Sequence, residues 1–456
     1  MRPITTKKDT HVLLDLFKNS NMVSPRLLDF GKFLLNNKRI INKFVAIGWA
    51  EEKKNKKGLN LKLNDIVRNV PNLLDFENKR TYFLKEMAKR NAGHRRSLDL
   101  TIDRNNFFED AFKQLEQISP AEFKRKLNIK FQGERGIDAG GVTRDFYSKI
   151  SQTMFDPATG LFKLFSNGVS FHPDPRSTNQ GPNHVKYFRF IGRMVGKAIS
   201  DGQYMDCYFS KPLYKMMLGE ELAFEDFEDM DNNYFQGLKY YLSSQFEAEE
   251  EELYFCVEED FFGRTEVIEL MPGGQHIMVT KETLEDFLEK ITFHEMFGKV
   301  KEQCKFFLKG FLEMIPRELI SIFNYRELEL LIAGLPDFDI DDLKANVEFR
   351  GGFTAQSPCI QWFWEIIADF DKFEIASLLS FVTGCSKIPL GGFASLQGMN
   401  GLQNFNIHRL ITNDKQRLPE GHTCFNQLDM PEYEDKEVMR ERLLFAIKET
   451  GGILMA

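Results

Sequence analysis

The spacing of apolar residues predicts helices along the first part of the chain. Apolar residues recur three and four positions apart between residues 11 and 49, and again after Pro71, which is typical of amphipathic helices. A lysine-rich run at residues 53–58 separates the two stretches and predicts an exposed turn. We therefore expect residues 1–97 to form a helical extension.

From residue 98 onward, strand patterns alternate with helical patterns. Short apolar runs predict strands at 98–102, 129–131, 253–257, 267–270, 277–279, 405–408 and 422–425. Apolar positions of helical period predict helices at 105–115, 187–199, 284–312, 327–333, 361–368, 375–382 and 437–449. The turn residues at 272–274 predict a hairpin that pairs 267–270 with 277–279.

One glycine marks a candidate boundary between two units. The short helix that ends at Ala333 is followed by Gly334 and then by Pro336. Glycine just past a helix end, with proline close behind, is a typical stop signal.

The composition is that of a globular protein. The chain has 456 residues, of which 42% are hydrophobic and 28% charged, and this is enough apolar material for packed cores. We find no run of about 18 uncharged apolar residues, and residues 1–10 lack the apolar segment of a secretion signal. We therefore expect neither a membrane span nor export.

The cysteines and histidines predict a reducing compartment and no metal site. The six cysteines are widely spaced without a CxxC pair, and the eight histidines show no HxxxH or HExxH spacing. These patterns argue against a disulfide framework and a zinc site. We expect a cytoplasmic or nuclear protein without a metal or other cofactor.

Charge is distributed unevenly along the chain. Residues 1–96 hold 22 Lys and Arg against 9 Asp and Glu, and the remaining residues hold 38 against 58, so the net charge of −7 combines +13 with −20. A basic segment on an acidic body could bind an acidic partner or nucleic acid. A solvated helical surface explains the same charges, and we favour that interpretation.

One cysteine lies in a context that suits covalent chemistry. Cys424 follows polar loop residues and has His422 two positions before it. A loop edge is accessible to a partner, and on a strand residues i and i+2 share a face. The imidazole could help to deprotonate a thiol whose ordinary pKa is about 8.5, and Thr423 and Asn426 could donate to a developing oxyanion. On spacing alone, a structural cysteine beside a histidine is the more common case.

The other cysteines have a different context. Cys207, Cys256, Cys304, Cys359 and Cys385 lie in apolar or helical stretches that are typical of core residues.

The chain also carries a series of motifs in a fixed order. They lie at residues 133–147, 182–198, 327–332, 360–364, 381–393 and 418–426, and the last reads LPEGHTCFN. Together they resemble the HECT domain, the catalytic module of one class of ubiquitin-protein ligases, over about residues 98–456. The similarity is greatest to the subgroup of very large ligases that includes mammalian Mule.

This resemblance implies an α+β fold with two lobes. A mostly helical N-lobe with a small β subdomain, residues 98–333, would dock the ubiquitin-conjugating enzyme. An α/β C-lobe, residues 339–456, would carry the catalytic cysteine. Residues 334–338 would be the hinge and include Gly334, Leu335, Pro336 and Asp337.

The resemblance also implies a set of partners and a groove for one of them. The partners are ubiquitin, a ubiquitin-conjugating enzyme and protein substrates. The groove for the conjugating enzyme would include Tyr234, Leu238, Leu253, Phe287 and Ile291. On sequence alone, these five residues are equally typical of a core.

The chain departs from the family at a C-terminal anchor position. Family members usually have Phe four residues from the C-terminus, where it helps to place the C-lobe for ligation, and here Ile453 stands there. Ile453 keeps the apolar character without the ring, which bears on transfer and not on thioester formation. Full-length members of the subgroup are far longer, so we expect a fragment or a compact relative.

The implied chemistry is two acyl transfers. The Cys424 thiolate attacks the thioester of ubiquitin on the conjugating enzyme, and a substrate lysine then attacks the new thioester. The amine must lose a proton, and Asp429 or the C-terminal carboxylate of Ala456 could accept it. Neither ATP nor a metal is needed for these steps.

Two alternatives stay open at this point. A cysteine hydrolase would also use Cys and His, but it normally needs a third, orienting residue. A catalytically inactive scaffold would bind a conjugating enzyme without carrying ubiquitin. The complete motif around Cys424 favours the ligase over both.

Overall fold

The computed structural model describes most of the chain. The described residues are 37–54, 60–92, 97–134, 141–165, 170–205, 207–242, 252–261, 264–334, 338–384, 386, 388, 392–398 and 401–449. The first part of the predicted N-terminal helix and residues 55–58 of the predicted turn lie outside them.

Helices run through both halves of the described chain. They are α1 (Lys38–Lys54), α2 (Asn60–Asn69), α3 (Phe76–Asn91), α4 (Phe107–Leu115), α5 (Pro120–Phe123), α6 (Gly141–Met154), α7 (His184–Ser200), α8 (Lys211–Leu218), α9 (Asn232–Tyr241), α10 (Leu284–Met296), α11 (Lys301–Met314), α12 (Arg317–Ile320), α13 (Tyr325–Ala333), α14 (Ile340–Ala345), α15 (Pro358–Ala368), α16 (Lys372–Thr383) and α17 (Lys436–Glu449). The predicted helices are present with two differences. α1 continues to Lys54, past the predicted start of the turn, and a 3-10 turn at Gly298–Val300 divides the predicted helix 284–312 in two.

The strands are short and form several small sheets. They are β1 (Leu98–Ile102), β2 (Leu127–Phe131), β3 (Phe162–Leu164), β4 (Phe171–Pro173), β5 (Cys256–Phe261), β6 (Arg264–Glu269), β7 (Val347–Arg350), β8 (Gln397–Gly398), β9 (Gly401–Leu402), β10 (Phe405–Leu410), β11 (Glu420–His422) and β12 (Gln427–Pro431). Four of them form the sheet β11-β12-β10-β7, in which β10 runs parallel to both neighbours and β11 is antiparallel to β12. With the helices, these sheets confirm the α+β class.

The predicted hairpin has the wrong partner. β6 pairs antiparallel with β5, which precedes it, and residues 277–279 contribute only an isolated bridge between Met278 and Tyr254. The predicted turn instead enters a 3-10 helix at Gly274, which lies so close to the carbonyl of Phe255 that a Cβ there would be 2.1 Å from its oxygen. Residues 277–279 thus lie against residues 253–255, just before β5, and not against β6.

The buried apolar residues form three clusters that divide at Gly334. The largest runs from Ile41 to Ile332, and a smaller one from Phe227 to Met296. A third runs from Leu343 to Ile447. We call residues 37–92 the extension, residues 97–334 the N-lobe, and residues 338–449 the C-lobe.

The extension shares its core with the N-lobe. Trp49 is buried and packs on Tyr82, with ring centroids 6.3 Å apart. One turn before Tyr82 on α3, the Nζ atom of Lys79 lies 2.7 Å from a carboxylate oxygen of Glu327 on α13, and Lys79 is almost fully buried. The helix before the hinge is therefore held by a buried ion pair to the extension.

Capping residues explain where two helices that flank the candidate site end. The backbone N–H of Glu327 donates to the side chain of Asn324 at the start of α13, and the helix stops at Gly334, whose φ is +84°. α16 begins with a similar box at Asp371 and ends at Gly384, whose φ is +77°. Positive φ favours glycine, so both ends are fixed by sequence.

Candidate active site

The backbone of Cys424 lies in a tight turn between two antiparallel strands. β11 ends at His422, a 3-10 turn covers Thr423–Phe425, and Asn426 then adopts φ +46° before β12 begins. The predicted strand 422–425 is therefore wrong after its first residue. His422 pairs with Gln427 across the ladder, so the chain must reverse between them. The argument that His422 and Cys424 share a strand face fails for the same reason.

Side-chain amides hold this turn in place. The carbonyl oxygen of Phe425 accepts hydrogen bonds from Nε2 of Gln403 and from Nδ2 of Asn406, both at 2.9 Å. The buried amide of Asn426 donates to the carbonyl oxygen of Gln403 at 2.8 Å, instead of serving as the expected oxyanion donor. The turn is thus braced from the neighbouring β9–β10 segment.

A glycine allows β11 to approach helix α16 closely. A Cβ at Gly421 would lie 2.1 Å from the carbonyl oxygen of Phe381. Real Cβ atoms do not come this close, so any side chain at Gly421 must displace β11 or α16. Since β11 leads directly into the turn, Gly421 helps to set the position of Cys424.

His422 is paired with a carboxylate on the next strand. Its Nε2 lies 3.2 Å from Oδ2 of Asp429. Nε2 of Gln427 donates to Oδ1 of the same carboxylate at 2.6 Å, and Nδ1 of His408 lies 3.2 Å from that oxygen. Asp429 therefore connects two histidines on the strands that flank β12.

The charges around the pair favour an imidazolium beside a carboxylate. The hydrogen bond to Asp429 raises the pKa of His422, with smaller contributions from the charges of Asp429, Glu420 and Glu228, and partial burial opposes them. Burial alone would raise the pKa of Asp429, but the hydrogen bonds from His422 and Gln427 outweigh it and lower the pKa.

Hydrogen bonds from two residues near the turn join the C-lobe to the N-lobe. Oγ1 of Thr423 lies 3.4 Å from Oδ1 of Asp229, which precedes α9. The carboxylate of Glu329 on α13 accepts from both the hydroxyl and the backbone N–H of Ser386, the latter at 2.9 Å. Burial raises the pKa of both acids. The C-lobe thus donates hydrogen bonds to two acidic side chains of the N-lobe.

Environment disfavours the thiolate at three other cysteines. Burial raises the pKa of Cys304 to about 12 and also raises that of Cys359. Cys256 is half-buried, and burial together with Glu258 and Glu269 raises its pKa. Since the thiolate is the nucleophile, these positions suit covalent chemistry poorly. Cys385 lies outside the described residues.

The five predicted groove residues lie together, but most are covered. Leu238, Phe287 and Ile291 are buried in the smaller N-lobe cluster, and Leu253 is half-buried against it. Tyr234 is 37% exposed and packs edge-on against Phe227 of this cluster. The surface of this region also exposes the apolar side chains of Tyr240, Ile277, Met278 and Phe293.

Of the predicted hinge, the structure describes Gly334. A Cβ at Gly334 would lie 3.2 Å from the ring of Tyr204, whose hydroxyl accepts a hydrogen bond from Arg80 of the extension at 2.9 Å. Leu335, Pro336, Asp337 and the anchor position Ile453 lie outside the described residues.

Three residues of the site escaped the sequence analysis. Asp229 and Glu329 lie far from Cys424 in the chain and approach it only through the packing of the two lobes. His408 lies on a predicted strand, but its contact with Asp429 depends on the register of β10 against β12. The contact of His408 with Asp429 could have been predicted only from that register.

Two searches of the described residues complete the description of the site. None of the described helices is long and apolar enough to cross a membrane. Within the same residues, no group of three or more His, Cys, Asp or Glu side chains is arranged to hold a metal ion.

Comparison with known proteins gives matches over most of the chain. The family model described as HECT-domain (ubiquitin-transferase) matches residues 148–456. The chain is 42% identical to the E3 ubiquitin-protein ligase UPL1 of Arabidopsis thaliana, over 92% of the chain and 11% of that protein. It is 44% identical to the E3 ubiquitin-protein ligase HUWE1 of Mus musculus, over 83% of the chain and 9% of that protein.

A yeast protein extends the same pattern. The chain is 40% identical to the E3 ubiquitin-protein ligase TOM1 of Saccharomyces cerevisiae, over 95% of the chain and 13% of that protein. The chain thus spans about a tenth of the length of the curated relatives it matches. These matches confirm the resemblance that the motifs indicated.

Proposed function

Because the chain belongs to the HECT-domain (ubiquitin-transferase) family, we propose that it carries ubiquitin as a thioester on Cys424 and passes it to a substrate lysine. The observation that carries the proposal is the position of the turn. Its backbone is braced within the C-lobe, and Thr423 places it against Asp229 of the N-lobe.

The first transfer is an exchange between two thioesters. The thiolate of Cys424 attacks the carbonyl carbon that joins ubiquitin to the conjugating enzyme, a new C–S bond forms, and the thiol of the enzyme leaves as thiolate. The bonds broken and formed are of one kind, so the step is nearly balanced in free energy. The positive charge that His422 gains beside Asp429 would favour a nearby thiolate.

The second transfer needs a base as well as a nucleophile. The lysine nitrogen forms a bond to the thioester carbon, Cys424 leaves as thiolate, and the nitrogen gives up a proton. Of the two acceptors considered from the sequence, Asp429 with its hydrogen-bonded His422 is the one whose surroundings are described. We assign the proton transfer to this pair.

One cysteine must meet two partners in turn, so the lobes must move. The conjugating enzyme holds its thioester on a separate surface, and the lysine arrives on a substrate. A hinge at Gly334 supplies the rotation. The contacts of Thr423 and Ser386 with the N-lobe would break and re-form during the cycle.

For the conjugating enzyme, we propose the face around Tyr234. Its exposed ring packs on Phe227 of the smaller N-lobe cluster, and the same cluster contains Leu238, Phe287 and Ile291, with Leu253 packed against it. Alanine at Tyr234 should weaken charging by the conjugating enzyme and leave the discharge of a preformed thioester unchanged.

We propose that the reaction takes place in the cytoplasm or the nucleus. A nucleophilic thiol persists where thiols are kept reduced, and Cys256, Cys304 and Cys359 are free cysteines. Imaging and fractionation of the tagged protein would test this. Recovery in a secretory compartment would contradict it.

The decisive experiment uses a ubiquitin-charged conjugating enzyme. Wild type should form a ubiquitin adduct that reductant removes. Cys424→Ser should form none, or an oxyester that resists reductant, while the matched variant Cys256→Ser should behave as wild type.

Absence of an adduct with a broad panel of conjugating enzymes would favour the inactive scaffold. If wild type forms the adduct but discharges it slowly to lysine, Ile453→Phe restores the family residue at the anchor position and tests the transfer step. Recovery of lysine discharge without a change in adduct formation would place the defect in transfer.

A further inference from the structure

We propose that Glu228 of the N-lobe is a specificity-determining residue of the transfer step, and that its carboxylate binds the ammonium group of the incoming lysine beside the turn around Cys424. The proposal rests on the transfer from Cys424 proposed above and names the group that selects the acceptor.

The segment that carries Glu228 is fixed on both sides. Phe227, before it, is buried in the smaller N-lobe cluster. Asp229, after it, accepts the hydrogen bond from Thr423 of the C-lobe. A Cβ at Gly384 would lie 3.4 Å from Cβ of Thr423 and 4.0 Å from Oδ1 of Asp229, so the two lobes are in close contact here. Glu228 therefore lies at the contact between the lobes.

Its carboxylate also interacts with the residue that leads into the turn. The charge of Glu228 raises the pKa of His422, and the charge of His422 lowers the pKa of Glu228. His422 ends β11, directly before the turn at Thr423–Phe425. Each group thus acts on the other across the lobe contact.

The neighbouring acids already have partners. Within the described residues, each accepts a hydrogen bond or forms an ion pair: Asp226 with Lys211 and Lys215, Asp229 with Thr423, Glu420 with Arg417, and Asp429 with His422. Glu228 is half-buried, and its carboxylate has no hydrogen-bond or ion-pair partner among the residues that the structure describes.

A carboxylate in such surroundings gains by binding a cation. Burial is the largest cause that raises the pKa of Glu228, and the charge of Asp229 adds to it, while the charges of Lys239, Lys211 and His422 lower it. Burial has thus removed water that no described donor replaces, and an opposite charge in contact would compensate for that loss. The reaction brings such a charge, because a lysine side chain is an ammonium ion at neutral pH.

Binding at Glu228 precedes the chemistry. The bound ammonium loses one proton to water and becomes the nucleophile. Its nitrogen then bonds to the thioester carbon, Cys424 leaves as thiolate, and the surplus proton on nitrogen passes to the His422–Asp429 pair. Glu228 thereby raises the local concentration of a cationic acceptor and favours it over neutral nucleophiles.

The experiment compares a cationic with a neutral nucleophile. Purified Cys424-linked ubiquitin is discharged in a single turnover to free lysine or to hydroxylamine, which is uncharged near neutral pH. The slope of rate against nucleophile concentration is measured for each. Glu228→Gln keeps the size of the side chain and removes its charge, so the slope for lysine should fall roughly fivefold. The slope for hydroxylamine should keep the wild-type value.

Ionic strength gives a second readout that a purely structural role would not change. Salt screens the attraction between the carboxylate and the ammonium group. Added salt should therefore slow wild-type discharge to lysine more than discharge by Glu228→Gln, so that the two rates converge.

Two further variants serve as controls. Glu225→Gln removes an acid from an exposed position of the preceding 3-10 helix and should leave both slopes unchanged. Glu228→Asp keeps the charge on a shorter side chain and should restore part of the slope for lysine.

The outcomes separate the two proposals. A loss confined to lysine supports the role of Glu228. Equal losses with both nucleophiles, or an unchanged slope for lysine, overturn that role and leave the ligase assignment intact. Failure of wild type to form the thioester overturns both.

Discussion

The hydroxyl of Thr423, one position before Cys424, lies 3.4 Å from a carboxylate oxygen of Asp229 on the other lobe. Ser386 makes a second contact of this kind with Glu329. Both acids belong to the N-lobe, and both partners belong to segments near the turn around Cys424. The structure therefore presents this turn against the N-lobe.

Removal of the Asp229 carboxylate should slow lysine discharge more than charging. A hydrogen bond to a carboxylate contributes about 1 kcal/mol at this length, so Asp229→Ala should reduce single-turnover discharge about fivefold. Charging by the conjugating enzyme should change less, because it needs a different lobe arrangement. Glu225→Ala, at an exposed position of the preceding 3-10 helix, is the matched control. Equal losses in both steps would contradict the prediction.

Alanine at Gly421 should disrupt the turn around Cys424. The new Cβ would lie 2.1 Å from the carbonyl oxygen of Phe381, so β11 must move away from α16 and take the turn with it. We expect thioester formation to fall at least tenfold. Gly237→Ala is the matched control, because nothing lies within 4 Å of its Cβ and α9 should gain about 0.5–1 kcal/mol. Wild-type activity of Gly421→Ala would show that β11 can move away from α16 without disturbing the turn.

The His422–Asp429 pair should stabilise the C-lobe in a limited pH window. The pKa of His422 is raised above 6.5. Its contribution to the free energy of unfolding is therefore complete below pH 6.5 and is lost as the pH rises through the folded pKa. The pKa of Asp429 is lowered below 3.8. Its contribution to the free energy of unfolding is therefore complete above pH 3.8 and is lost as the pH falls through the folded pKa. Asp429→Asn should therefore lower the free energy of unfolding more at about pH 5.5 than at about pH 9. Urea unfolding at the two pH values measures the difference, and an equal loss at both would argue against the pair.

Loss of the cation at Lys79 should destabilise the N-lobe. Lys79 and Glu327 form a buried pair, and Lys79→Met leaves the carboxylate without its cation, which costs about 3 kcal/mol. The double variant Lys79→Met with Glu327→Met should recover much of that loss, because no charge is then left unpaired. Arg90→Met breaks the exposed pair with Glu318 and should cost less than about 1 kcal/mol. A small effect at Lys79 in chemical denaturation would indicate that the extension is loosely attached.

Local patterns in the sequence determined much of this protein. The presence of α7, α13 and α17, with bounds within three residues of those observed, and the stop at Gly334 follow from periodicity and capping, which act within a few residues. The α+β class followed from the resemblance to the family. The motifs up to the one around Cys424 indicated the family, and comparison with relatives confirmed it. These features need no knowledge of how distant segments pack.

The tertiary structure decided what depends on distant partners. β6 pairs with β5 and not with residues 277–279, and Gly274 lies close to Phe255, just before β5. The turn around Cys424 replaces a strand, since β11 must reverse into β12. Contacts of His408 and Asp229 with the site arise from strand register and lobe packing, which the apolar pattern along the chain does not encode.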